Sequence, residues 1–225
     1  MKSITIDGPV ASGKSTIARM LAKNLGYYYV YSGALYRALA YLLIHTKGYS
    51  HEQLHHPEMS DVLECLNPMR FQYTYDPESQ ERVFFDAYDI TPFLKESSID
   101  QGASIVSTNP QVRDEINKLI RLIAQKSDVV VDGRDAGTVI FPDASKKFYL
   151  TASLDVRARR WQDVQKKLGN VYTHEQALQL LSERDQRDQG RKIAPLMIPG
   201  DAMVIDNSGL DIEQTLEIIM SSIKM

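Results

Sequence analysis

Ser3-Ile4-Thr5-Ile6-Asp7-Gly8-Pro9-Val10-Ala11-Ser12-Gly13-Lys14-Ser15-Thr16 is the stretch whose reading decides the fold. Ser3 to Asp7 reads as a short buried strand, and Gly8 to Gly13 as a glycine-bearing turn. From Ser15 to Leu25 apolar residues recur at helical spacing, with Ile17, Met20, Leu21 and Leu25 on one face and Gly26 as the stop. Gly8 to Ser15 fits G-x-x-x-x-G-K-[ST] without a mismatch. A strand before it and a helix after it are the setting in which that pattern cradles phosphate. Triphosphate oxygens need a concave ring of backbone N–H groups; glycines allow the close approach, and the helix N-terminus adds its positive dipole end. Gly8, Pro9, Val10, Ala11, Ser12, Gly13, Lys14, Ser15 and Thr16 are therefore the expected nucleotide-phosphate-binding residues, in a cradle that GTPase switches, ATP-driven motors and small-molecule kinases all share. Lys14 is expected to reach the β and γ phosphates and the Ser15 hydroxyl to ligate Mg²⁺.

Outward from this turn, strand and helix alternate. Tyr28 to Tyr31 is β-prone, and a helix follows with Leu35, Leu39, Leu42 and Leu43 on its buried side. Pro110 to Gln125 is helical, with Val112, Ile116, Leu119, Ile120 and Ile123 in register. Val129-Val130-Val131-Asp132 is apolar on both faces, as at the centre of a parallel sheet. Phe148 to Leu150 and Met203 to Ile205 are further strands, and Asp211 with Gln214 makes a capping box for the last helix. These elements predict an α/β fold: a five-stranded parallel sheet in three αβα layers, of the P-loop NTPase type. Two segments break the rhythm. Phe71, Tyr73 and Tyr75 alternate with polar residues, Asp76-Pro77-Glu78-Ser79 turns, and Val83 to Phe85 returns, a hairpin insertion. A charge-rich helical pair, roughly Asp155–Lys167 and Thr173–Gln189, is hinged at Gly169-Asn170.

The chain has 225 residues, 43% hydrophobic and 24% charged, enough for a sizeable core without staples. Cys65 is its only cysteine, so no internal disulfide forms, and the five histidines show no zinc-type ligand spacing. A net charge of −3 disfavours a general nucleic-acid or membrane-surface binder. No run approaches the roughly 18 apolar residues of a membrane span, and the first residues show no leader pattern. The expectation is a soluble cytoplasmic protein, with a monomer as the default state.

Asp132-Gly133-Arg134-Asp135 closes the strand that begins at Val129. In an open parallel sheet, ligands collect beyond the carboxyl ends of strands. Asp132 is placed like an acid that holds Mg²⁺, through water, while Arg134 and Asp135 could face a second substrate. Arg157, Arg159 and Arg160 crowd one lid helix. Arg184, Arg187 and Arg191, at i, i+3 and i+7, are expected to share a face of the other. On an arbitrary protein such charges are a solvated helix surface. Downstream of a phosphate cradle they read as groups that neutralise phosphoryl oxygens, since arginine binds them bidentately.

The motifs together resemble the bacterial cytidylate kinases, within the nucleoside monophosphate kinases. The resemblance rests on I-D-G-P-x-x-S-G-K-S-T at Ile6 to Thr16 and S-G-A-x-Y-R at Ser32 to Arg37. It continues through D-G-R-D-x-G-T-x-x-F-P at Asp132 to Pro142, E-R-D-x-R-D-x-x-R at Glu183 to Arg191, and A-P-L at Ala194 to Leu196. It implies transfer of the γ-phosphate of ATP to CMP or dCMP. It implies that Ser32, Arg37, Arg134 and Arg191 hold the acceptor phosphate, with Tyr36 beside them. Ser104, Arg113 and Asp135 would read the cytosine edge, Asp188 would contact the sugar hydroxyls, and Arg184 the sugar-phosphate. Lys14, Arg134, Arg157, Arg160 and Arg184 would be the catalytic set, with Arg159 also on ATP and Ser15 and Asp132 toward the metal. The chain divides accordingly into a core (about 1–60, 100–155 and 190–225), a monophosphate-binding insertion (about 61–99) and a lid (about 156–189). One departure stands out: Tyr31 occupies the place where the resemblance leads to an acid. Asp132 is then expected to position the metal alone and Tyr31 to modify acceptor affinity, so that Tyr31→Asp changes turnover or KM for CMP. The competing readings are a kinase for UMP, AMP or another small acceptor, and a P-loop sensor that binds without transfer; N-K-x-D, the guanine-reading run, is absent.

Tyr27 to Tyr29 read as packing residues, His51, His55 and His56 as surface, Cys65 as a small buried apolar group, and Trp161 as the anchor of the lid helix.

Overall fold

The computed structural model describes residues 2–78 and 80–224, so Ser79 of the predicted turn lies outside the described residues. The chain forms two compact units, residues 2–27 with 130–224, and residues 28–129. Its five-stranded sheet is the predicted one. β1 (Ser3–Asp7), β2 (Tyr28–Tyr31), β6 (Val129–Gly133), β7 (Lys146–Thr151) and β8 (Met203–Asp206) take the order β2-β6-β1-β7-β8. β1 runs parallel to β7, with Ile4 opposite Lys146 and Asp7 opposite Tyr149, and β7 runs parallel to β8. Helices cover both faces. β6 is buried throughout, which explains its apolar run.

In the unit that contains β1, helix α1 (Lys14–Leu25) follows the turn directly. Its buried stripe is Ile17, Ala18, Leu21 and Ala22. Met20 and Leu25, expected on that face, are only partly buried, and Ala18 and Ala22 share the buried face with Ile17 and Leu21 instead. Gly26 ends the helix in the left-handed conformation (φ 67°), its amide bonded back to the last turn. α6 (Leu154–Lys167) and α7 (His174–Gly190) pack on each other around Ala158, Ala177 and Leu181, with Trp161, Val10 and Ala11 against that cluster. Trp161 is thus the anchor the sequence suggested. α7 opens on a capping box from Thr173 and Gln176, and α8 (Ile212–Lys224) on reciprocal bonds between Asp211 and Gln214.

The other unit holds β2, α2 (Ser32–Lys47), α3 (Met59–Cys65), α4 (Ser97–Val106) and α5 (Pro110–Ala124). It also holds the antiparallel sheet of β3 (Phe71–Asp76), β4 (Gln80–Phe85) and a short third strand, β5 (Tyr88–Asp89). Phe71, Tyr73 and Tyr75 all face inward, so the alternation in sequence is the burial pattern of β3. α5 begins on Asn109, whose side chain accepts from the Gln111 and Val112 amides ahead of Pro110 at the first turn. Val112, Ile116 and Ile120 are buried on its face, while Leu119 and Ile123 are only partly covered. Cys65 and Tyr29 are buried and His55 and His56 exposed, as expected. Burial pushes the Cys65 thiol up to about 11, which keeps it in the unreactive form.

Candidate active site

The cradle is built by two backbone constraints. A Cβ on Gly8 would lie 2.1 Å from the Leu150 carbonyl oxygen of β7, so only glycine lets the turn pass over the sheet edge. Gly13 then adopts φ 90° and starts α1. Lys14, 6% exposed, donates from Nζ to the Pro9 carbonyl at 2.9 Å, folding its ammonium over the turn. Its pKa is held well below the ordinary lysine value, first by burial and then by the positive charge of Arg134, against which Asp132 pulls. Ser15 Oγ donates to Asp132 Oδ2 at 2.6 Å. The two motifs, 117 residues apart in the chain, therefore meet at this bond.

Arg157 and Arg160 of α6 are tied to the turn. Arg157 is 7% exposed and donates to Ala152 O (3.0 Å) and Val10 O (3.1 Å), with Asp185 2.7 Å away. Arg160 binds Asn207 through its side-chain and main-chain oxygens, both at 2.9 Å. Asn207 Nδ2 in turn donates to the Ser12 carbonyl at 3.0 Å. Arg159 is exposed and paired with Asp155. Near the end of α7, Arg134 Nε donates to Asp188 Oδ2 at 2.7 Å, and Arg191 lies 3.6 Å from Oδ1. Burial works to raise the Asp188 pKa, but Arg134, Arg191 and Arg184 outweigh it and hold the carboxylate ionised below its usual range. Arg184, Arg187 and Arg191 do not share one helix face as expected. α7 ends at Gly190, Arg191 is extended beyond it, and Arg187 is exposed. The glycine at 190 terminates the helical spacing one residue early.

Asp7 ends β1 one residue before the cradle and is fully buried. It accepts from the amides of Ala136 (2.9 Å) and Gly137 (2.7 Å), the start of the π-helical turn Ala136–Ile140 that follows Asp135. Burial pushes its pKa from 3.8 to about 7, although both amides pull the other way. Because the folded pKa lies above the unfolded one, the folded state binds the extra proton between those values. Asp7 accordingly favours folding most below about pH 4, and that contribution is lost as pH rises toward about 7. Urea unfolding from pH 4.5 to 8 should show this fall for the native chain and not for Asp7→Asn. Parallel profiles would contradict the assignment.

In the unit of residues 28–129, Ser32 is buried at the N-terminus of α2. Arg37, one turn later, donates to Asp100 Oδ1 of α4 from Nε (3.1 Å) and Nη2 (2.7 Å), and to the Tyr31 phenol oxygen from Nη1 (2.7 Å). Burial works against its charge, and Tyr31 and Asp100 more than restore it. Arg113 of α5 is 2% exposed, donates to the Ser107 carbonyl at 3.1 Å and lies 5.6 Å from the centre of the Tyr36 ring. Ser104, on α4, is partly exposed.

A family description, cytidylate kinase, matches residues 4–225. The chain belongs to the cytidylate kinase family. It is 38% identical over 221 residues to a protein named cytidylate kinase from Caldanaerobacter subterraneus subsp. tengcongensis, covering 98% of this chain and 94% of that one. It is 38% identical over 222 residues to one of the same name from Thermodesulfovibrio yellowstonii, covering 99% and 97%. An uncharacterized protein from Eubacterium ventriosum shares the fold, with a TM-score of 0.53 at 16% identity over 100% of this chain and 99% of that one.

For this member of the cytidylate kinase family, sequence motifs led to the cradle, to Asp132 and to the arginines, but not to their partners. Asp7 was legible in principle, as an acid closing a buried strand. Asp100 and Asn207 were not, since their roles come from α4 packing on α2 and from β8 ending beside the turn. Among the described residues no three His, Cys, Asp or Glu side chains gather as a metal cluster. No helix among them is long and apolar enough to cross a membrane.

Proposed function

We propose that this protein transfers the γ-phosphate of ATP to CMP or dCMP, giving ADP and the nucleoside diphosphate. The observation that carries this reading is the meeting of Ser15 and Asp132 at 2.6 Å beneath a turn whose lysine is buried among cationic side chains. Burial and the neighbouring Arg134 penalise the Lys14 ammonium, and an arriving polyphosphate removes that penalty. The turn is therefore poised for an anion, with its amides and the α1 N-terminus as donors.

The donor set fits Mg²⁺: a hydroxyl and a carboxylate are hard oxygens, and this ion takes few protein ligands, completing its shell with water and substrate phosphate. Ser15 and Asp132 would hold it, the latter through water. When bound, it would offset the negative charge of the phosphate oxygens.

Phosphoryl transfer asks the protein chiefly for positioning and charge neutralisation. Lys14 would neutralise the terminal phosphates. Arg157 and Arg160, anchored on Val10 and Asn207, would hold the lid against the turn, with Arg159 toward ATP. In the 28–129 unit, Ser32 and Arg37 would take the acceptor phosphate, beside Tyr36, while Ser104 and Arg113 would read cytosine. Arg134, Asp135, Arg184, Asp188 and Arg191 keep the acceptor roles that the resemblance implies. No general base is needed, because the attacking atom is already a phosphate oxygen. The division into core, monophosphate-binding segment and lid belongs to the same proposal.

Incubation with ATP, Mg²⁺ and CMP, dCMP, UMP or AMP, with ADP and diphosphate products quantified, tests it. CDP and dCDP should form, with kcat/KM for AMP lower by about 100-fold or more, the scale at which unpaired base-reading groups discriminate. Nucleotide binding without ADP release, or preference for AMP, would refute it.

A further inference from the structure

Tyr31 is the last residue of β2 and immediately precedes α2. Its amide donates to the Tyr73 hydroxyl at 3.0 Å, and that hydroxyl donates to the Tyr29 carbonyl at 3.2 Å, so the strand end is fastened to β3. Its ring lies nearly parallel to that of Tyr29, at 12° and 6.4 Å. From this seat the phenol oxygen accepts the Arg37 Nη1 bond at 2.7 Å, while Asp100 accepts from Nε and Nη2. The guanidinium is gripped from two sides, by one carboxylate and one phenol oxygen. Gly33 makes room for this arrangement: a Cβ there would lie 2.6 Å from Cε2 and 3.1 Å from Oη of Tyr31.

We propose that Tyr31 is a positioning residue that presets Arg37 for a phosphate monoester and thereby sets the affinity for the acceptor nucleotide. The inference rests on the reading of Arg37 as a holder of the acceptor phosphate. A long arginine side chain must be ordered before its fork can meet a phosphate, and ordering it in advance lowers the cost of binding. A second carboxylate would order it equally well but would add a negative charge beside the dianionic ligand. The phenol orders the fork and leaves its charge directed at the phosphate. Acceptor affinity is therefore the quantity that Tyr31 controls, and ATP affinity is not.

Tyr31→Phe keeps the ring and its packing on Tyr29 and removes only the oxygen. KM for CMP should rise about tenfold, as for one lost hydrogen bond to a charged group, with kcat and KM for ATP within about twofold. Gly33→Ala displaces the ring by contact and should raise KM for CMP by a similar factor. The double variant should add little to either single one, since both remove the same bond. An unchanged KM for CMP in Tyr31→Phe, or a rise shared equally by KM for ATP, would overturn the inference. A native chain that forms no CDP would overturn the functional reading and this inference with it; a native chain that forms CDP while Tyr31→Phe keeps its KM would overturn this inference alone.

Discussion

Replacing Lys14 with alanine should lower kcat for CMP phosphorylation about 10³-fold, the scale of losing a preorganised charge at the site where negative charge is transferred. The fold should survive. Lys14 is buried, and its ammonium is disfavoured first by desolvation and then by Arg134. A lysine whose folded pKa lies below its unfolded value costs stability at neutral pH, so removing it should leave Tm unchanged or raised. Activity and stability thus move in opposite directions, which separates a catalytic lysine from a packing one. Single-turnover assays with saturating ATP, paired with a thermal melt, make the measurement. Near-normal turnover, or a collapse of Tm together with activity, would contradict the assignment.

Gly8→Ala should be the most damaging single-atom addition in the cradle. The new Cβ would meet the Leu150 carbonyl oxygen at 2.1 Å and its carbon at 3.1 Å, both backbone atoms of β7. Neither can rotate away as a side chain could. Overpacking of this kind costs about 3 kcal/mol or more, which for a chain of this size lowers Tm by about 6–12 °C. The turn must also shift relative to the sheet, taking its amides out of register with the phosphates. Gly209→Ala is the matched control, because a Cβ there meets nothing within 4 Å. Calorimetry on the pair, with ATP affinity measured by titration, should find the loss at position 8 alone. Equal melts for both variants would show that the turn can move without penalty.

Local patterns determined much of this protein. The sequence from Ser3 to Thr16 is enough to specify strand, turn and helix, because each step depends on residues within one or two turns of chain. The same holds for the capped starts at Asn109, Thr173 and Asp211 and for the inward alternation of Phe71, Tyr73 and Tyr75. Family motifs extended this to the residues proposed to handle phosphate. Some readings failed where neighbours decided the outcome: Met20 and Leu25 gave way to Ala18 and Ala22 on the buried face of α1, and Arg191 left the helix to pair with Asp188.

What only the tertiary structure decided are the pairings over long sequence separation. Ser15 with Asp132, Asp7 with the amides at 136 and 137, Arg160 with Asn207, and Arg37 between Tyr31 and Asp100 all depend on which strands and helices become neighbours. The physical reason is that burial and charge act through space. A carboxylate titrates near 4 or near 7, and an arginine is loose or held, according to the atoms packed around it. Sequence spacing specifies which residues lie along one face of an element; it does not specify what that face will meet.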